Sequence, residues 1–468
     1  MRTFVIPCFW LSLVVLTASA LSAEVIHLKN GDVIYADGAT EKGNNVTYEV
    51  GDNVFTIPKS RVQSIETGAR PVPNIAELPQ LTPETHLGGE DQLLDKVVHE
   101  NAVDRSALTA VESRGRPNEI ALAYYIAART EFQTGKYNDS RRDFETALRN
   151  DPENPTVLNY YAALLVRTGN PLDAISYAEK ATRIAPDSAD AFAVLGYAQF
   201  SADRLRDAIE SWKKSLTLRP DASIQRLLAR AEREAHAESS FSEREKGHFV
   251  LHYEGGQTSE SFRGQLVEAL EAQYQDLRSQ LGMEPRSTVQ VILYSNQAFF
   301  DVTRAPSWTG ALNDGKLRIP ISGLTALTPE LAHVLRHELT HSFVNQLAMG
   351  RCPHWLNEGV AQALEPRTLG SRASRLAELF KLEQEIPLNQ LETSFTSFNT
   401  IEAALAYDES LAAVDYIRNR YGMSDLLRIL QRVGEGESAE AAMRATIHAD
   451  YRQLEGELRL YLVRQAGS

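Results

Sequence analysis

Cysteine is almost missing from this chain. Among 468 residues only Cys8 and Cys352 occur, and Cys8 sits in an apolar N-terminal run. Once that run is removed, a single thiol remains and no internal disulfide can form. A surplus of basic charge is also lacking: 48 Lys and Arg face 62 Asp and Glu, for a net charge of −14. Phosphate backbones require a basic footprint, so nucleic acid is excluded as the main partner, and an anionic membrane surface is disfavoured. Beyond the N-terminus no apolar run approaches the ~20 residues that span a bilayer.

What is present is an ordinary globular composition, 43% hydrophobic and 24% charged, over a length that suggests about three domains. The chain begins as a cleavable secretory signal, residues 1–23. Arg2 supplies positive charge, Phe4 to Leu16 is apolar apart from Pro7, Cys8 and Ser12, and Ala18-Ser19-Ala20 and Leu21-Ser22-Ala23 offer small residues for cleavage. The expected location is therefore secreted or periplasmic.

Residues 24–67 read as a small β module. Val46, Tyr48 and Val50 alternate at strand period, with turns at Asn30-Gly31, Gly43-Asn44 and Gly51-Asp52. Residues 68–115, with Pro71, Pro73, Pro79 and Pro83, read as a linker ending in a first helix from about Asp91. Residues 116–245 repeat. Pro152, Pro186 and Pro220 recur 34 apart, and so do Gly135, Gly169 and Asp203. This period resembles the tetratricopeptide repeat, an all-α solenoid of helical hairpins, here closed by a capping helix at 223–245. The resemblance implies either a concave surface that binds peptide or protein, or a scaffold that holds the next domain or mediates assembly.

From residue 246 the pattern changes. Strands are expected at 249–253, 289–294 and 315–321, a long amphipathic helix at 261–281, and helices after Thr328, which together make an α+β domain over 246–468. Thr328-Pro329-Glu330 is a helix start with a capping hydroxyl, Pro at the first position and an acid in the first turn. The helix then carries His337, Glu338 and His341. Four residues are about one turn, so both imidazoles leave one face about 6 Å apart along the axis and can reach one Zn²⁺. Glu338 is placed to act on water beside the metal without ligating it. Glu358 follows 17 residues after His341, room enough for a turn and a second helix to return a carboxylate. His333 continues the spacing, but it lies about 12 Å from His341 along the axis and cannot share one ion with it. His354 is the remaining rival for the third ligand.

The 248–465 region resembles the gluzincin peptidases, thermolysin-like in fold. The resemblance rests on His337-Glu338-Leu339-Thr340-His341, on Trp355-Leu356-Asn357-Glu358-Gly359, and on Ala406-Tyr407-Asp408-Glu409-Ser410 with Tyr421-Gly422. It implies one zinc ion on His337, His341 and Glu358, Glu338 as general base, and Tyr407 as a donor to the oxyanion. Solenoid and catalytic module together look like bacterial exported proteins with a peptidase MA-like domain. The resemblance also implies that an extended substrate pairs with the strand before the helix, at Gly310, Ala311 and Leu312. Aminopeptidase relatives carry Gly-x-Met-Glu-Asn there. This chain has Gly310-Ala311-Leu312-Asn313-Asp314, without that Glu, which favours an endopeptidase. Gln362 stands where several relatives have a supporting Asp. The competing expectation is a non-catalytic binding or assembly protein with a vestigial metal site.

Overall fold

The structure, a computed structural model, describes residues 24–466 except 30–32, 37, 51–52, 68–86, 114–115, 304–310, 322–323, 366–367, 371, 396–397 and 399. The expected signal sequence, most of the expected linker, and Gly310 lie outside the described residues.

Six strands open the chain: β1 (Glu24–Leu28), β2 (Val33–Ala36), β3 (Gly38–Lys42), β4 (Asn45–Val50), β5 (Asn53–Pro58) and β6 (Val62–Thr67). They form two antiparallel three-stranded sheets, β2-β1-β6 and β3-β4-β5. Ile26, Leu28 and Val46 are the buried residues of their small core. The segment expected as a linker ending in a first helix from about Asp91 does carry that helix. It holds α1 (Glu90–Val97), a short hairpin of β7 (Val98–His99) and β8 (Ala102–Val103), and α2 (Arg105–Glu112). Leu93, Val97, Leu108 and Val111 join one core with the first solenoid helix, so these elements pack as its N-terminal cap.

The solenoid consists of α3 (Pro117–Gln133), α4 (Tyr137–Asn150), α5 (Pro155–Arg167), α6 (Pro171–Ile184), α7 (Ala189–Ser201), α8 (Leu205–Leu218) and α9 (Ala222–Ala237). The starts of α4, α6 and α8, at 137, 171 and 205, keep the 34-residue period. Each of these hairpins turns through a left-handed residue at the same place, with φ of 78° at Gly135, 76° at Gly169 and 61° at Asp203. Glycine meets that conformation without strain, whereas aspartate does so at a cost. Trp212 is fully buried and its indole donates to the Ala193 carbonyl at 3.1 Å. It fits because Gly196 presents no Cβ, which would stand 2.5 Å from the indole.

The capping helix ends at Ala237, short of its expected limit. Residues 242–246 instead form β9 (Ser242–Lys246), a charged, exposed strand that sequence periodicity does not signal. It edges a five-stranded sheet with β10 (Phe249–Tyr253), β11 (Val289–Tyr294), β12 (Leu312–Asn313) and β13 (Leu317–Pro320), in the order β12-β13-β11-β10-β9. β10, β11 and β13 are parallel, and the two edges antiparallel. The parallel β11 is buried on both faces, which is why Val291-Ile292-Leu293-Tyr294 is a continuous apolar run. Val291 and Leu293 meet the long helix α10 (Glu260–Leu281), while Ile292 and Tyr294 meet α11 (Asn296–Thr303). Seven helices complete the domain: α12 (Pro329–Leu347), α13 (His354–Leu364), α14 (Arg372–Lys381), α15 (Thr400–Tyr421), α16 (Met423–Gly434), α17 (Ala439–Ile447) and α18 (Tyr451–Ala466).

Solenoid and sheet are joined through buried charge. Glu234 of α9 is 0% exposed and accepts from Lys316 Nζ at 2.6 Å and Arg318 Nη2 at 2.8 Å. Arg318 also donates to Asp314 at 3.0 Å and to the Tyr294 hydroxyl at 2.7 Å. Arg230 binds Asp314, Asp203 binds Lys316, and Tyr294 donates to Glu238. Burial alone would raise the Glu234 carboxyl, but Arg318, Lys316 and Arg230 outweigh it and hold it well below the usual carboxylate range. Because the folded carboxyl is depressed, its contribution is fully present above the unfolded value of about 4.3 and is lost as pH falls below that. Glu234→Leu should therefore cost ~3–5 kcal/mol at pH 7, since two buried cations lose a shared anion. The penalty should shrink towards pH 3. Denaturant unfolding at both pH values checks this, and a loss under ~1 kcal/mol at pH 7 would sink it.

Candidate metal centre and active site

α12 starts as the sequence requires: the Thr328 hydroxyl accepts from the Leu331 N–H at 3.2 Å, and Pro329 takes the first position. It stops before Met349 and Gly350, both left-handed. Three residues later α13 begins and returns across α12. That return brings His337, His341 and Glu358 together, one ligand atom from each lying within 4.8 Å of the others. Glu358 Oε2 is 3.4 Å from His337 Nε2, and Oε1 is 3.7 Å from His341 Nε2. The close return depends on Gly359. A Cβ there would stand 2.3 Å from the Ser410 carbonyl of α15, so any larger residue would push apart the helix that carries Glu358 and its neighbour.

The donor set fits a metal ion. His341 is 0% exposed and Glu358 1%, yet His341 Nε2 and both Glu358 oxygens make no hydrogen bond. Three unmet polar atoms in one buried spot are costly unless a ligand satisfies them. Two neighbours fix the imidazoles. His341 Nδ1 is 3.0 Å from Asn357 Oδ1, and His337 Nδ1 is 3.1 Å from Glu365 Oε2. An amide oxygen only accepts, so Nδ1 of His341 carries the proton and Nε2 keeps its lone pair towards the centre. Burial would lower His337, but Glu358 and Glu365 raise it to about 10. Burial lowers His341 to about 4. Glu358 is drawn down to about 2 against its burial by His341 and His337.

Glu338 lies beside this group, 5% exposed, with Oε2 free of hydrogen bonds. Burial lifts its carboxyl to about 7, opposed by His337 and assisted by Glu358. Asn313 of β12 secures the edge strand to the same helix turn. Its amide donates to the Glu338 carbonyl at 2.6 Å and to Ser342 Oγ at 2.7 Å.

Of the other residues singled out from sequence, His333 is exposed and stands outside the donor group. His354 comes nearer, with Nε2 3.9 Å from Glu358 Oε1, but it too is outside the group. Its ring meets Phe395 edge-on at 4.5 Å, and Phe395 meets Tyr407 edge-on at 5.5 Å. Ala311 and Leu312 are buried, and Leu312 joins the core with Ile292 and Tyr294. Gln362 ties α13 to α15 by donating to the Tyr407 carbonyl at 2.9 Å. The acid that supports His337 is Glu365, almost one turn further on. Sequence reasoning passed over Asn313, Asn357 and Glu365. Asn357 and Glu365 were available from helical spacing, adjacent to Glu358 and seven beyond it; Asn313 had no sequence signal.

Removing Asn357 or Glu365 frees an imidazole to rotate. Asn357→Ala and Glu365→Ala should each weaken divalent-metal binding by ~10–100-fold while leaving the fold intact, and His341→Ala should abolish it. Competition titration against a metallochromic chelator measures this. Wild-type affinity in both supporting variants would refute the assignment.

Residues 270–464 match a family model described as the Peptidase MA superfamily, and residues 125–189 match one described as a tetratricopeptide repeat. Among curated proteins, the Protein CTR9 homolog of Arabidopsis thaliana is 29% identical over 107 residues, which is 23% of this chain and 10% of that protein. Among solved structures, the first TPR domain of human RPAP3 is 21% identical and covers 26% of this chain and 94% of its own, with a TM-score of 0.25. The Sgt2 TPR domain from Aspergillus fumigatus is 20% identical, covering 32% and 92%, with a TM-score of 0.24. Yeast Tom70 is 13% identical, covering 74% and 88%, also at 0.24. The chain thus carries tetratricopeptide repeats followed by a domain of the Peptidase MA superfamily.

Proposed function

We propose that this chain is an exported zinc endopeptidase whose repeats bind a protein substrate or partner. The observation that carries the proposal is the buried His337, His341 and Glu358 group, its donors within 4.8 Å of one another and Glu338 beside it. Two imidazoles and one carboxylate are a donor set typical of catalytic zinc. When bound there, zinc would supply a Lewis acid.

The chain's own groups do the rest. His337, His341 and Glu358 hold the ion, and Asn357 and Glu365 keep the imidazoles aimed. Glu338 accepts the proton of the attacking water at its unbonded Oε2, then delivers it to the departing amine. Tyr407 is the proposed donor to the developing oxyanion. The outer edge of the sheet at Leu312 of β12, with Ala311 just before it, pairs with an extended substrate. Asp314, the residue after the place of the aminopeptidase amine clamp, is engaged by Arg230 and Arg318 rather than left open for a substrate amine. A cavity of about 800 Å³ bordered by Asn313, Ser342, His354 and Asn357 extends to the solenoid turn at Arg167 and Gly169, which gives a peptide room on that side of the scissile bond. Export is proposed from the signal-like residues 1–23.

Purified full-length protein should hold one zinc ion per chain and cleave casein. Glu338→Gln should keep the zinc and lose ~10²–10⁴-fold in turnover. Absence of zinc from the wild type, or cleavage by Glu338→Gln at the wild-type rate, would end this reading.

A further inference from the structure

We infer that the seam between the solenoid and the loop joining α12 to α13 is a second binding site, one that takes a carboxylate carried by the polypeptide substrate. The inference rests on the peptidase reading for the word substrate and on separate residues for the site. A cavity of about 700 Å³ lies in this seam, walled by Tyr137, Arg167 and Tyr197 of the solenoid and by Arg351, Glu392 and Glu437 of the catalytic domain. It shares Arg167, Gly350, Cys352, Glu392 and Thr393 with the cavity that borders His354 and Asn357. A peptide lying along the active site can therefore continue into the seam.

Two groups there have unmet chemistry. Tyr197 is 4% exposed, and its buried hydroxyl has no hydrogen-bond partner. If the cavity were only an apolar packing gap, phenylalanine would serve better, because an unsatisfied buried hydroxyl costs ~1–3 kcal/mol. Arg351 is half-buried, and among the described residues it has no ion-pair partner. Its guanidinium lies over the Tyr137 ring, 5.7 Å from the centroid. It is seated against Gly135, where a Cβ would fall 1.5 Å from Nη1. The left-handed solenoid turn thus leaves a berth for a cation contributed by the other domain.

The remaining charged groups that wall the cavity have other engagements. Glu437 pairs with Arg432 at 2.8 Å, Glu392 accepts from the Tyr451 hydroxyl at 2.5 Å, and Arg167 Nε donates to the Tyr137 hydroxyl at 3.2 Å. A planar guanidinium without an anion, lining the same cavity as an unmatched hydroxyl donor, suits a carboxylate. That carboxylate is either an Asp or Glu side chain or a free C-terminus. Neither domain forms the site alone, since Tyr197 comes from one and Arg351 from the other.

The test uses zinc-loaded full-length Glu338→Gln, immobilised and exposed to three pools of randomised dodecapeptides. One pool has a single Glu per peptide and an amidated end. The second has no acid but a free C-terminal carboxylate, and the third has neither. Recovery quantified by mass spectrometry should favour at least one carboxylate-bearing pool by about tenfold or more over the third, and the richer of the two identifies the source. Tyr197→Phe in the same background should reduce that advantage at least threefold with an unchanged or raised Tm, an outcome that a purely structural hydroxyl would not give. Arg351→Gln should reduce it further. Equal recovery of all three pools, or a full advantage retained in Tyr197→Phe, overturns the site. Binding is read without turnover, so the two readings fail separately. A wild type that hydrolyses nothing while the pools still discriminate sinks only the peptidase, and hydrolysis without discrimination sinks only the seam site.

Discussion

Glu234 sits at 0% exposure between Lys316 and Arg318, carried by a solenoid helix into the edge of a sheet that belongs to another domain. Buried charges are tolerable only in company, and here each member of the cluster is the condition for another. Lys316 and Arg318 flank Leu317 on β13, and Asp314 follows Asn313 of β12. Asn313 in turn anchors the strand to the helix turn that bears Glu338. A short edge strand of two residues has little hold of its own. Its position depends on polar groups at both ends, one set from the solenoid and one from the catalytic helix.

The catalytic side shows the opposite arrangement. Opposite charges are matched around Glu234, although its Oε2 lacks a hydrogen bond, whereas around Glu358 three buried polar atoms are left unmet together. Such exceptions concentrate where function requires them. The packing around the exception is tight: Gly359 lets α13 and α15 touch, and Trp355 and Leu356, in the first turn of α13 ahead of Glu358, are fully buried.

Much of this was legible in the sequence, and the illegible parts share a cause. The 34-residue period announced the solenoid because a repeat needs only local chemistry, small residues and turns at fixed intervals. Thr328 to Glu330 announced α12, and spacing alone grouped His337 with His341. Bringing Glu358 to them rested on resemblance, because no local rule says how far a second helix turns back. The strand β9 escaped notice because Ser242–Lys246 is polar throughout and pairs only through its backbone. The first helix was expected from about Asp91 and starts at Glu90, but the β7-β8 hairpin and α2 that follow it carry no sequence signal of their own and pack with α3 in one core. Asn313 could not be seen at all, since its partners lie 25 and 29 residues away across a tertiary contact.

Asp203 carries one further consequence. In the first two hairpins the left-handed turn residue is glycine, and in the third it is an aspartate whose carboxylate reaches Lys316 and lies 3.3 Å from His252. Idealising the repeats towards their own consensus would place glycine at 203 and relax that backbone. The same edit would remove an anion from the buried junction, so it would improve the solenoid as a solenoid while loosening its grip on the sheet. The repeat array is thus irregular at a residue by which it holds its neighbour.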